Sequence, residues 1–214
     1  MDFALLIPVL LLSIVVHEVA HAWQARREGD FTADELGRIT LNPLRHLDLW
    51  GSFLVPAMLW VSAGVMLGWA KPVPVDPTRF RDHPGSDIRV SLAGIVSNLG
   101  LVVGFIGLAV ATGTLAPLLP AFAVTGLETV AIYGIFINLL LAFFNLLPIP
   151  PLDGSHVVAS LLPARLAAPY RRFGRFGLLT IMAILILAPG FFNLVMAPVN
   201  WGFELAARFV GAIV

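Results

Sequence analysis

Long apolar runs, broken at a few places by proline, glycine and clustered charge, set the pattern of this chain. About 20 consecutive apolar residues span a bilayer as a helix. Five stretches come close: 3–25, 50–69, 90–112, 127–148 and 176–197. A sixth, 198–213, is shorter and carries Glu204 and Arg208, which suits a helix lying in the interface. The pattern predicts an all-α polytopic membrane protein, a bundle of about five to six membrane segments. Two pieces break the helical pattern, 68–77 (GWAKPVPVDP) and 145–155 (NLLPIPPLDGS). Prolines at this density block regular helix and leave extended or turn backbone. At membrane depth such backbone is tolerated only inside protein or beside a wet cavity, so both pieces are candidate site segments. The stretch 50–69 has two readings. Gly51, Pro56 and Gly64 suit a re-entrant hairpin, giving a re-entrant or extended element over 50–77. Its length equally suits an ordinary transmembrane helix.

Composition sharpens this. The chain is 58% hydrophobic and 12% charged, against about 45–50% and about 25% in soluble domains. It reads as a single integral membrane domain, 1–214, with a catalytic core over about 3–160 and C-terminal helices over 161–214. The formal net charge of zero gives a nucleic-acid partner no support, and with no cysteine there is neither a disulfide nor a thiolate metal site. Ala20-His21-Ala22 imitates a signal-peptidase site, but Asp2 is the only early charge and the first basic residues, Arg26 and Arg27, follow the run. A retained membrane helix is therefore expected. Of thirteen Lys and Arg, Arg26, Arg27, Arg38, Arg45, Lys71, Arg79, Arg81 and Arg89 lie in 26–89, and none lies in 113–126. If 50–69 returns without a net crossing, every basic cluster except lone Arg208 falls on one face, which the positive-inside rule makes cytoplasmic.

The first apolar run contains HEVAH. Helical spacing puts His17 and His21 one turn apart on one face, where two imidazoles can take adjacent corners of a zinc tetrahedron. Glu18 sits about 100° round the helix from His17, in reach of a water at the metal without being a ligand. Ionisable groups inside a membrane segment are functional candidates by default. A catalytic zinc usually has three protein ligands, and between Arg89 and Arg165 the only charged residues are Glu128 and Asp153. Glu128 reads as a first-turn carboxylate on a helix dipole. Asp153 lies in PIPPLDGSHV, where broken backbone can aim a carboxylate inward. His46 and His83 read as solvated or interfacial loop histidines, and His156 as a surface residue or a supporting partner of the site. Gly94, Ser97, Gly100 and Gly104 suggest close helix packing, with Asn98 beside them as packing residue or hydrogen bonder.

HEVAH on an early membrane helix, SLAGIVSN opening a later one and FNLLPIPPLDG ending the next resemble the site-2 protease family of intramembrane zinc proteases. GRITLNPLRHLDLWGS and GWAKPVPVDP are similar to pieces of its small bacterial branch, which lacks PDZ and CBS domains. The resemblance covers roughly residues 10–160. It implies one Zn2+ per chain held by His17, His21 and Asp153, with Glu18 as general base. It also implies that Asn145 holds the substrate strand or the oxyanion. The expected partners are a transmembrane-protein substrate and the lipid bilayer, in a multi-pass protein of the bacterial cytoplasmic membrane with its site nearer the cytoplasmic side. The chain departs from the family where Ala93-Gly94-Ile95 replaces the usual Ala-Gly-Pro. The extended GWAKPVPV stretch offers an edge for an unwound substrate strand, since Pro72 and Pro74, lacking N–H, fall on one side of it. The main alternative is a zinc or divalent-metal transporter, disfavoured by five histidines in all and no His-rich loop. A non-catalytic scaffold is disfavoured by the intact catalytic positions.

Overall fold

A computed structural model of the chain describes residues 3–48, 54, 58, 61, 71–187 and 189–214. The choice between a re-entrant and a crossing segment at 50–69 falls almost wholly outside the described residues. Those residues form helices joined by turns and extended pieces, and they contain no strand.

Helix α1 (Phe3–Glu28), α3 (Gly85–Leu115) and α4 (Ala121–Asn145) make the core bundle, with short α2 (Thr32–Glu35) after α1. Each long helix is apolar and long enough to cross a bilayer, and the chain is an integral membrane protein. Their burial inverts the soluble pattern. Ile7, Leu12, Val96, Val103, Phe122 and Ile132 are exposed, while Ser13, His17, Ser91, Asn98 and Asn138 are buried. Apolar side chains facing lipid cost nothing, whereas polar ones must find partners inside the bundle. The buried positions repeat every three or four residues: Val9, Ser13 and His17 on α1; Asp87, Ser91, Gly94, Asn98 and Val102 on α3; Ala131, Ile135, Asn138 and Ala142 on α4. These three stripes meet, and Val9 and Val102 of the stripes pack with Phe105, Leu139, and Val199 and Ala206 of the last helix.

After α4 the chain turns through Leu146–Leu152 and continues as α5 (Asp153–Leu161), α6 (Ala164–Phe173), α7 (Gly177–Leu187) and α8 (Pro189–Gly211). The expected span 176–197 is thus two helices. Proline, which has no N–H to give the preceding turn, starts the second and suits a helix's first position. Residues 198–213, expected to be a separate interfacial piece, instead continue that second helix. Helix α4 begins at Ala121, so Glu128 stands in its third turn and exposed, not at a helix start. Gly100 and Gly104 do not serve packing as expected: no described residue of another element lies within 4 Å of where a Cβ would sit on either.

Residues 71–76 form neither helix nor strand, as the prolines predict, and lie against α1 and the residues just after it through Val73 and Asp76. Backbone bonds hold them. Lys71 N–H donates to the His46 carbonyl at 2.9 Å, and Asp76 N–H to the Asp30 carboxylate at 2.7 Å. Buried Arg38 donates to the Lys71 carbonyl at 3.0 Å. Val73 packs on Ala22 and Ala33. Thr78, through its hydroxyl and its N–H, holds the Asp76 carboxyl below its ordinary pKa. His46, expected to be solvated, is buried at 1% exposure, with Nε2 2.9 Å from the Thr40 carbonyl. Asp30 is equally buried and also accepts from Thr32 N–H at 3.0 Å. Hydrogen bonds to a charged group contribute about 1.5–3 kcal/mol each. Asp30→Ala should therefore free residues 71–79 from α1, and limited proteolysis of the detergent-solubilised protein should show new cleavage there while the bundle stays intact.

Candidate metal centre

His17 and His21 lie on the α1 stripe that faces α3, because side chains four residues apart share a helix face. Asp153 arrives from the other direction, as the first residue of α5 after the proline-rich turn. Gly154 sets that approach. A Cβ there would strike the Leu146 and Leu147 carbonyls, so only glycine lets α5 start this close to the end of α4. The far end of α5 is tied to α3, where Ser160 Oγ donates to the buried Asp87 carboxylate at 2.7 Å. Arg171 of α6 lies 3.2 Å from the same carboxylate.

The three side chains converge. His17 Nε2 and His21 Nε2 are 3.0 Å apart, and Asp153 Oδ2 lies 3.2 Å and 3.3 Å from them. Whether a metal suits this cluster can be judged on three features. First, ligands at about 2.05 Å on a tetrahedral zinc are about 3.3 Å apart, so the near-equilateral triangle matches one tetrahedral face. Second, buried Asp153 Oδ2 faces the two imidazole nitrogens and makes no hydrogen bond outside the cluster, a costly state for a carboxylate unless a cation faces it. Third, His21 Nδ1 lies 2.7 Å from the Val90 carbonyl, which can only accept. The neutral His21 ring therefore carries its proton on Nδ1 and presents a bare Nε2 to the triangle. The donor set of two imidazoles and one carboxylate suits zinc. Among the described residues this is the one group of three such side chains with converging ligand atoms.

Glu18 is outside the triangle, as expected, and its Oε2 accepts from Val73 N–H at 2.8 Å. The extended segment's donor at Val73 is thus engaged by Glu18 rather than open. Asn145 ends α4, and its amide donates to the Leu141 carbonyl one turn back, at 3.0 Å. No hydrogen bond joins it to the three converging side chains. Asn98, read as packing residue or hydrogen bonder, places Oδ1 2.6 Å from His17 Nδ1. His83 and His156 are exposed and away from the cluster. Sequence reasoning passed over Asn138 and Ser13, both fully buried and bonded to one another and to Asn98. The available signal was an asparagine in the middle of an apolar helix, IFINLLL, where an unpartnered amide is expensive.

Gly94 stands directly behind the histidines. A Cβ there would overlap His21 Nε2 and the His17 ring. The close approach of α3 to α1, which brings Asn98 and the Val90 carbonyl into reach, therefore needs glycine. Overpacking a core position by one methyl costs about 1–3 kcal/mol, and here the strain falls on both rings. Gly94→Ala should fold with modest loss of thermal stability but lose most of its bound zinc, read by elemental analysis of the purified protein.

Residues 115–189 match the sequence profile of peptidase family M50. The chain is 38% identical over 186 residues to "Putative zinc metalloprotease YwhC" of Bacillus subtilis, covering 86% of this chain and 81% of that protein. It is 31% identical over 207 residues to "Putative zinc metalloprotease Rip2" of Mycolicibacterium smegmatis, covering 95% and 74%. The archaeal "Putative zinc metalloprotease MJ0611" of Methanocaldococcus jannaschii is 27% identical over 169 residues, covering 73% of each chain. No solved structure matches. With relatives this similar along most of their length, the chain belongs to peptidase family M50, the site-2 protease family of zinc metalloendopeptidases.

Proposed function

We propose that this protein is an intramembrane zinc metalloprotease that hydrolyses peptide bonds within or near transmembrane helices of membrane-protein substrates. The observation that carries the reading is the triangle of His17 Nε2, His21 Nε2 and Asp153 Oδ2, set between membrane helices with its carboxylate oxygen otherwise unpartnered. One Zn2+ per chain is held there. When bound, it supplies a Lewis acid that polarises the scissile carbonyl and acidifies a water molecule.

The chain's own groups do the rest. Glu18, next to His17 but turned out of the ligand stripe, takes the proton from the attacking water and passes it to the leaving amine. In the resting protein Val73 N–H holds this carboxylate in place. Asn145 turns its amide from the Leu141 carbonyl toward the scissile carbonyl oxygen and donates to it as negative charge develops. A substrate helix has no free backbone, so its scissile stretch unwinds before cleavage. It then lies beside residues 71–75, competing with Glu18 for the Val73 N–H. With 50–69 returning without a net crossing, the basic residues of 26–89 support a site nearer the cytoplasmic side of a bacterial cytoplasmic membrane.

Glu18→Gln separates a protease from a metal carrier. It should keep close to one zinc per chain and lose about 10²- to 10⁴-fold in turnover of a transmembrane substrate. His17→Ala and Asp153→Ala should instead lose the metal. Full zinc in Asp153→Ala would remove Asp153 from the ligand set, and altered zinc flux in Glu18→Gln with no cleavage phenotype would favour transport.

A further inference from the structure

His21 has its ring proton fixed by a backbone carbonyl, and His17 does not. The partner of His17 Nδ1 is the side-chain amide of Asn98, 2.6 Å away. An amide can present its oxygen or, turned over, its nitrogen. With oxygen toward the ring, Nδ1 must carry the proton and Nε2 is bare. With nitrogen toward the ring, Nδ1 must accept, the neutral ring carries its proton on Nε2, and His17 cannot bind a metal there. The orientation of one amide therefore decides whether the cluster has three ligands or two.

We propose that Asn138 and Ser13, which hydrogen-bond none of the metal ligands, lock the Asn98 amide and so hold His17 in the tautomer that receives zinc. This rests on the reading of His17 as a ligand. The lock starts at two backbone carbonyls. Ser13 Oγ lies 2.8 Å from the Val9 carbonyl and gives its only proton there. Its oxygen therefore accepts from Asn138 Nδ2 at 2.9 Å, and the second Asn138 N–H goes to the Gly134 carbonyl at 2.8 Å. Both Asn138 protons are then committed, and its Oδ1 is the atom that faces Asn98, at 2.7 Å. Asn98 must meet that oxygen with Nδ2, whose other proton points toward the Ser13 carbonyl at 3.4 Å. What remains for His17 is Asn98 Oδ1. Turning Asn98 over would press two oxygens together at this separation, and turning Asn138 over would aim an oxygen at the Gly134 carbonyl. Ser13, Asn98 and Asn138 are each 0% exposed, so no water can offset either change. One residue from each of α1, α3 and α4 takes part, and the proton order is set by the fold.

Two buried asparagines could serve only to join helices, so the test reads metal affinity and tautomer separately from stability. The full-length protein is purified in detergent as wild type, His17→Ala, Asn138→Leu and Ser13→Ala. Zinc affinity is measured by chelator competition, the metal-free thermal midpoint by unfolding, and the His17 and His21 ring tautomers by 15N resonance positions. In Asn138→Leu, zinc should bind about 10- to 100-fold more weakly. His17 should then show an Nε2–H population while His21 stays Nδ1–H, and Ser13→Ala should show a smaller loss of the same kind. A lower midpoint with zinc affinity within about twofold of wild type would mean the asparagine only joins helices, overturning the proposal. If Asn138→Leu does not fold, metal-free wild type decides: His17 should be Nδ1–H, and a mixed or Nε2–H ring overturns the lock. Loss of zinc in His17→Ala alongside unchanged affinity in Asn138→Leu refutes the lock alone, whereas full zinc in His17→Ala refutes the ligand assignment itself.

Discussion

The constraint on which the rest of this structure depends is the placement of protons where water is scarce. A metal ligand must offer a bare electron pair, and in an aqueous site solvent can settle which ring nitrogen does so. Between membrane helices, each buried donor needs a protein acceptor, at a cost of about 1–3 kcal/mol when one is missing. The polar groups of the core bundle answer to that rule. His21 is settled by the Val90 carbonyl and His17 by Asn98, whose amide is bonded in turn to Asn138. The three long helices must then sit close enough for these short side chains to meet, and Gly94 permits it for α1 and α3. Helix packing and metal chemistry are one requirement here.

Asp153 is brought in by different means. The two histidines come from the regular periodicity of one helix. The aspartate comes from a break in regularity: the proline-rich turn ends α4, Gly154 lets α5 begin against it, and Ser160 with Asp87 fastens the far end of α5 to α3. A carboxylate at the first position of a helix also sits at the favourable end of the helix dipole. The proposed third ligand is thus carried on a nine-residue helix fixed at both ends.

These two means of construction explain what could be read from the sequence. The histidine pair was legible because four-residue spacing maps onto one helix face wherever a helix forms. Asp153 was legible because so few acidic residues lie deep in the chain, and because its motif resembles a known family. The break in helix over residues 71–76 followed from proline chemistry alone. Other features depend on contacts between distant segments, and composition is silent about those. His46 sits in a charged loop yet is buried, and Lys71 N–H bonds to its carbonyl. Asn138 and Ser13 look like minor polar interruptions until three helices bring them together. Gly100 and Gly104 share the small-residue pattern of Gly94 but meet no described neighbour, since the pattern cannot say which side of the helix is occupied. The junction between α7 and α8 was missed because the apolar run continues through Pro189.

The register of α1 divides the work between its two faces. His17 and His21 point into the bundle, where buried amides and carbonyls fix their protons. Glu18, one position on, is carried about 100° round the helix and meets Val73 N–H on the extended segment. A base must exchange a proton in every cycle, so a fully locked position inside the bundle would defeat it. A ligand must never gain one on its binding nitrogen, so an open position would defeat that as well. A backbone N–H can orient a carboxylate without giving up its proton, and it can be claimed by a passing carbonyl when a substrate strand arrives. The proposed base is therefore held by the one element of the site that is extended backbone rather than packed helix, and the proposed ligands by the elements least able to move.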